Sequence, residues 1–178
     1  IFVSSDSKKI LNIAKNNNIQ IIKRPKFLCT NKSDEFASWK HAVKELKKRK
    51  ILFDYFLSLP TTSPLRKKID ITRLIQKFSQ TKYDVLLCAT ETNRYPHYNM
   101  VLRKKNIIQP IMKKSKGIKK NNILDLTTVG YITKPKFIMN SKGIFDGKVG
   151  YVKVPRERAI DIDDFYDLKI ARFLLSKQ

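Results

Sequence analysis

The sequence predicts an α/β fold with a mostly parallel sheet, and three observations carry that expectation. Short apolar runs alternate with segments of helical spacing: Ile1–Val3 precedes Ile10, Ile13 and Ala14, and Ile19–Ile22 precedes Phe36, Trp39, Val43 and Leu46. The run Ile51–Leu59 is nearly all apolar, which suits a strand covered on both faces. It ends in Pro60-Thr61-Thr62-Ser63-Pro64-Leu65-Arg66, a rigid hydroxyl-rich turn, and open α/β sheets bind ligands at such strand ends.

Each element follows from local chemistry. Ser4-Ser5-Asp6-Ser7 can cap a helix after the first strand, and Asn16-Asn17-Asn18 breaks that helix. Arg24-Pro25 forces the chain out of helix, and Ser33-Asp34-Glu35 begins a second helix whose last turn carries Lys47 to Lys50, where cations suit the dipole. Asp70 is expected to cap a third helix lined by Ile71, Leu74, Ile75 and Phe78, and Tyr83–Ala89 is expected to be a buried strand. From Glu91 the pattern changes. Residues 91–122 are expected to form an antiparallel excursion, a lid or dimerisation element, with Lys113–Lys120 as a loop. Asp125–Ile132 returns to strand, Pro135–Asn140 makes about one helical turn, and Lys148–Val154 is a strand. A closing helix is expected along Phe165, Leu168, Ala171 and Leu175.

The chain of 178 residues can bury one sizeable core, and no Pro/Gly/Ser-rich linker divides it, so residues 1–178 are expected to be one domain. No apolar run approaches the roughly 20 residues that span a bilayer. Cys29 and Cys88 form no CxxC or Cys/His pattern, so buried thiols in a reduced cytoplasm are expected. The net charge of +23 suits nucleic acid or an anionic surface, but the lysines are spread along the chain among asparagine and isoleucine, and solvated surface accounts for them. No zinc-finger, basic-zipper or RNA-recognition signature is present. Neither GxxxxGKS, GxGxxG, HExxH nor GxSxG occurs, and 5 glycines do not assemble a phosphate-cradling loop. His41 and His97 are isolated from any candidate nucleophile.

Against this basic background, four of the 15 acidic residues, Asp161, Asp163, Asp164 and Asp167, lie within seven positions. In an extended chain Asp161 and Asp163 leave the same face, roughly 6 to 7 Å apart at the backbone, and such a pair can hold one hard divalent cation. The competing reading is a helix start, with Asp163 or Asp164 as the cap and Asp167 in the first turn. Spacing alone leaves both open.

Several segments, taken in order, resemble the acylneuraminate cytidylyltransferases, the CMP-sialic acid synthetases. They are Ile1–Asp6, Arg24-Pro25 with Leu28 and Thr30, Glu35–Val43 with Trp39, His41 and Ala42, Thr62–Arg66, Pro96 with Asn99-Met100-Val101, and Pro155–Asp163. The resemblance covers nearly the whole chain. It implies a Rossmann-like three-layer α/β/α nucleotidyltransferase with a mostly parallel sheet, in which the anomeric hydroxyl of a nine-carbon keto sugar acid attacks the α-phosphate of CTP. A CMP-sugar for cell-surface glycan synthesis and pyrophosphate result. Mg²⁺ is the implied cofactor, with Asp161 and Asp163 as the metal-binding, catalytic pair, because phosphoryl transfer is driven by positioning and charge neutralisation. Arg24, Thr62 and Ser63 are implied nucleotide contacts, and Asn99 and Tyr131 sugar contacts. A homodimer is implied, without membrane or nucleic-acid partners.

The departures define the remaining expectations. The family places a glycine- and lysine-bearing loop after its first strand, so the chain is expected to lack its first βα unit, on the order of 40 residues, and to need it for catalysis. Pro60-Thr61 replaces a common glutamine-proline pair, Asn31 stands where aspartate is common, and Lys116–Asn122 replaces an arginine-glutamine segment. The alternative function is a catalytically dead domain of this fold whose basic surface binds nucleic acid or anionic glycan.

Overall fold

A serine-rich bend turns the first strand into the first helix. In the computed structural model, which describes residues 1–30, 33–112, 119 and 122–177, β1 (Phe2–Ser5) leads to α1 (Lys8–Asn16), whose N-cap Ser7 accepts from Ile10 N–H. Asn18 adopts φ 56° and the chain returns as β2 (Gln20–Lys23), parallel to β1 with Phe2 opposite Gln20 and Ser5 opposite Lys23. This βαβ unit is the architecture expected for the start of the chain. Its helix buries Leu11 and Ala14, whereas Ile10 and Ile13 are 48% and 55% exposed, contrary to the expected stripe. Ile10 stands about 100° round the helix from Leu11, outside the arc that Leu11 and Ala14 share.

Asp34 caps α2 (Glu35–Lys48) by accepting from Phe36 N–H at 3.0 Å, and Phe36, Trp39, Ala42, Val43 and Leu46 are buried along it. The end of α2 corrects the next expectation. Lys50 takes φ 57°, Lys50 N–H donates to Lys47 O, and Ile51 N–H donates to Leu46 O, the pattern of a Schellman cap. Ile51 is therefore consumed in closing the helix, Leu52 is 94% exposed, and only Phe56–Ser58 forms a strand, the half-buried β3, instead of the expected run Ile51–Leu59. Ile51, Phe53 and Phe56 still pack on Ile22, Ala42 and Leu46.

The chain divides into two compact units. The first comprises Ile1–Ser58, Lys82–Val85 and Ile132–Val149, and the second Leu59–Thr81, Leu86–Tyr131 and Gly150–Gln178. In the first unit α4 (Pro135–Asn140) has proline at its first position and sets Phe137 edge-on to Phe36, with centroids 6.2 Å apart. Gly147 is required there: a Cβ would stand 2.6 Å from Phe137 and 2.7 Å from the Asp84 carboxylate, which accepts from Lys148 N–H.

The second unit contains α3 (Lys68–Ser79), most of β4 (Val85–Glu91), the antiparallel hairpin β5 (Val101–Lys104) and β6 (Ile107–Pro110), most of β7 (Leu124–Thr133), most of β8 (Val149–Lys153), and α5 (Phe165–Leu175). β7, β4 and β8 are hydrogen-bonded neighbours in that order, and Leu86, Leu87, Cys88, Ala89, Val129 and Val152 are buried along them. Asp70 caps α3 from within its first turn and not from ahead of it, where the sequence placed it. The helix starts earlier, so Asp70 sits in its first turn, 1% exposed, and accepts from Lys67 N–H at 2.9 Å. On α5 only Ala171 of the expected stripe is buried, with Phe165 65% and Leu175 46% exposed. The departure at Asn31 and most of Lys113–Asn122 lie outside the described residues.

Candidate functional site

The proline-bounded turn and the aspartate stretch meet in the second unit. Ser63 is buried with its hydroxyl 2.6 Å from that of Thr128, and Arg66 donates to the carbonyls of Pro60 and Thr128. Burial lowers the pKa of Arg66, which stays a cation at any physiological pH. Ser63 therefore helps hold the turn in shape, while Thr62 presents its carbonyl to Ile162, whose N–H donates to it at 2.9 Å. That bond brings Thr62 next to the residue between Asp161 and Asp163.

The four aspartates divide their work. Asp164 caps α5, its Oδ1 accepting from Tyr166 and Asp167 N–H at 2.7 and 2.9 Å, and Asp167 Oδ2 accepts from the N–H groups of Asp163 and Asp164. The helix start is thus complete without the carboxylates of Asp161 and Asp163. Asp161 Oδ1 is buried without a hydrogen-bond partner among the described residues. A buried carboxylate oxygen in that state is costly unless a cation or a donor meets it. Mg²⁺ is held by one or two carboxylates together with waters and substrate phosphates, a demand that the open oxygen of Asp161 suits. Among the described residues no three His, Cys, Asp or Glu side chains gather into a larger metal-holding group.

Three residues before Asp161 lies an interaction that the sequence did not disclose. Arg158 donates from Nε and Nη2 to the two oxygens of Asp70 at 2.9 and 2.8 Å, with side chains 14% and 1% exposed. The partners are 88 residues apart in sequence, and Asp70 resembled an ordinary helix cap, so no local signal pointed to the pair.

Of the expected sugar contacts, Asn99 is exposed and accepts from Tyr95 N–H at 3.2 Å, within a turn where the Tyr95 and Tyr98 rings stack at 5.2 Å. Tyr131 is buried in β7.

Arg24 belongs to the first unit. Its guanidinium donates to Ser4 Oγ at 3.3 Å and to Ser4 O at 2.8 Å, locking it to the end of β1. Around it, burial and a hydrogen bond with Asp6 raise the pKa of the Cys29 thiol, and Arg24 opposes the shift. Burial also raises Glu35, whose Oε1 accepts from Trp39 Nε1 and Ser58 Oγ, both at 3.2 Å. Burial lowers the pKa of His41, whose buried Nδ1 has no hydrogen-bond partner among the described residues. Glu35 and Trp39 stand four apart on α2, the one spacing by which sequence could have foreseen part of this cluster.

No protein-family model matches the chain. Among curated proteins, the N-acylneuraminate cytidylyltransferase of Escherichia coli O18:K1:H7 is 26% identical over 187 residues, covering 100% of this chain and 42% of that protein. The chain is related to the acylneuraminate cytidylyltransferases. The post-translational flagellin modification protein B of Campylobacter coli is 25% identical over 184 residues, covering 100% of this chain and 77% of that protein. This chain spans under half the length of the Escherichia coli cytidylyltransferase. Among solved structures, CMP:2-keto-3-deoxy-manno-octonic acid synthetase complexed with CTP superimposes with a TM-score of 0.67 at 11% identity, covering 99% of this chain and 80% of that one. At that identity the match establishes the nucleotidyltransferase fold, the α/β class that the sequence predicts.

Proposed function

We propose that the protein transfers CMP from CTP to a nonulosonic, sialic-type acid. The anomeric hydroxyl forms the new bond to the α-phosphorus, the bond to the β-phosphate oxygen breaks, and CMP-sugar, pyrophosphate and a proton result. The observation that carries the reading is the pairing of Ile162 N–H with Thr62 O, beside a buried Asp161 Oδ1 that no group among the described residues satisfies. Relatedness to cytidylyltransferases along the whole chain supports it.

Asp161 and Asp163 would hold Mg²⁺, which when bound neutralises triphosphate charge. The protein's own residues do the positioning. Thr62 and the Ser63 turn orient the nucleotide, while Asn99 and Tyr131 contact the sugar. The hairpin β5–β6 exposes Val101, Leu102, Ile107 and Ile108, and we assign it to the interface of a homodimer. No helix among the described residues is long and apolar enough to cross a membrane.

The test is an assay of the protein in its natural reading frame with CTP, Mg²⁺ and a panel of nonulosonic acids, read as pyrophosphate release. Release dependent on one of these acids is expected. A folded protein silent with every acid would overturn the reading.

A further inference from the structure

We propose that Asp70 and Arg158 are positioning residues that hold Asp161 where it can take a divalent cation. The inference rests on the cytidylyl-transfer reading and extends it to two residues outside the implied ligand set.

Two segments of the second unit are fastened together at two points. Thr62 O receives Ile162 N–H at 2.9 Å, and eight residues after Thr62 the Asp70 carboxylate receives the Arg158 guanidinium through two bonds. Asp161 lies between these fastenings, three residues after one and one residue before the other. The intervening chain is itself constrained. Val154 N–H donates to Ala89 O, Arg158 N–H to Pro155 O and Ala159 N–H to Arg156 O, which form a 3-10 turn over Arg156–Arg158. Asp70 is equally fixed, in the first turn of α3 with Lys67 N–H on its Oδ2.

The chemistry of the pair favours position over stability. A buried ion pair gives up the hydration of both charges, and well-packed apolar residues of similar volume often serve stability as well or better. What such residues cannot supply is a two-bond fork of fixed geometry, which only a guanidinium facing a carboxylate provides. That fork sets where the backbone stands three residues before Asp161. Outer partners of metal ligands characteristically change metal affinity 10- to 100-fold when removed.

The experiment uses the full protein with Mn²⁺ and CTP, following bound Mn²⁺ by electron paramagnetic resonance and stability by urea titration. The variants are Arg158→Lys, the double variant Asp70→Leu/Arg158→Met, and Asp161→Asn. The double variant leaves no unpaired buried charge, so it separates folding from positioning. A folded double variant that binds Mn²⁺ about tenfold or more weakly than wild type, with Arg158→Lys also weakened, is the expected result. Wild-type Mn²⁺ affinity in either folded variant of the pair, with Asp161→Asn weakened, overturns this inference and leaves the cytidylyl-transfer reading standing. Unchanged affinity in Asp161→Asn removes the metal assignment on which both depend.

Discussion

Two parts of the second unit handle their polar and apolar groups in opposite ways. Around Thr62 and Asp161, charge is buried and tied: Asp70 is 1% exposed in a two-bond pair, Ser63 is 2% exposed against Thr128, and Ile162 is bonded to Thr62. In the hairpin β5–β6, apolar groups are left in the open, with Ile107 73% and Ile108 64% exposed. Burying an ion pair is unfavourable unless its geometry is fully satisfied, and exposing isoleucine forgoes burial. Neither arrangement serves the stability of an isolated chain. Under the proposed function, the first suits a site that must be rigid, and the second suits the proposed interface between copies.

The sharpest way to break this comparison is at Asp161. Asp161→Asn is expected to lower Mg²⁺-dependent turnover by about 100-fold or more with the urea midpoint nearly unchanged, because the helix cap uses Asp164 and Asp167. Steady-state rates and unfolding curves check both halves. Next in size is Arg158→Met alone, which leaves the Asp70 carboxylate buried and is expected to cost about 3–5 kcal/mol, while Asp70→Leu/Arg158→Met recovers most of that loss. Equal destabilisation of the single and double variants would contradict the account of the pair.

On the hairpin, Ile107→Lys with Ile108→Thr is expected to change monomer stability by only about 0.5 kcal/mol while dissociating the proposed dimer in sedimentation. A dimer unaffected by this change would remove the interface assignment.

Smaller effects belong to the first unit and to the thiols. Burial raises the Glu35 pKa above its ordinary value of 4.5, so the folded state binds its proton more tightly than the unfolded state. That contribution to stability is complete below the unfolded value and is lost as pH rises through the folded one. Glu35→Gln should remove this loss, giving a flatter urea midpoint against pH than wild type. Cys88, fully buried with its thiol pushed up to about 12, should resist thiol reagents near neutrality until the protein unfolds, whereas the half-buried Cys29 reacts in the native state.

Much of this was legible in the sequence where the signal is local. Asp34 announces α2, Pro135 announces α4, and a helix start with Asp164 as cap and Asp167 in the first turn was one of two readings that spacing kept open. Legibility failed where one residue serves two claims. Ile51 looks like the first residue of a buried strand, yet the left-handed Lys50 draws it into closing α2, and the strand shrinks to Phe56–Ser58. Asp70 looks like a cap, yet its environment is fixed by Arg158, a partner 88 residues away that no periodicity reveals. Exposure on α1 and α5 was misjudged for a related reason. Helical spacing identifies an apolar stripe but not which part of it finds a partner, and Ile10 and Phe165 find little.

The most direct measurement is phosphorus NMR of the protein in its natural reading frame, incubated with CTP, Mg²⁺ and a nonulosonic acid. The account predicts equal growth of pyrophosphate and of a phosphodiester resonance from the CMP-sugar, both lost in Asp161→Asn. Neither resonance from a folded wild-type protein across the whole panel of acids, or their undiminished appearance in Asp161→Asn, would contradict it.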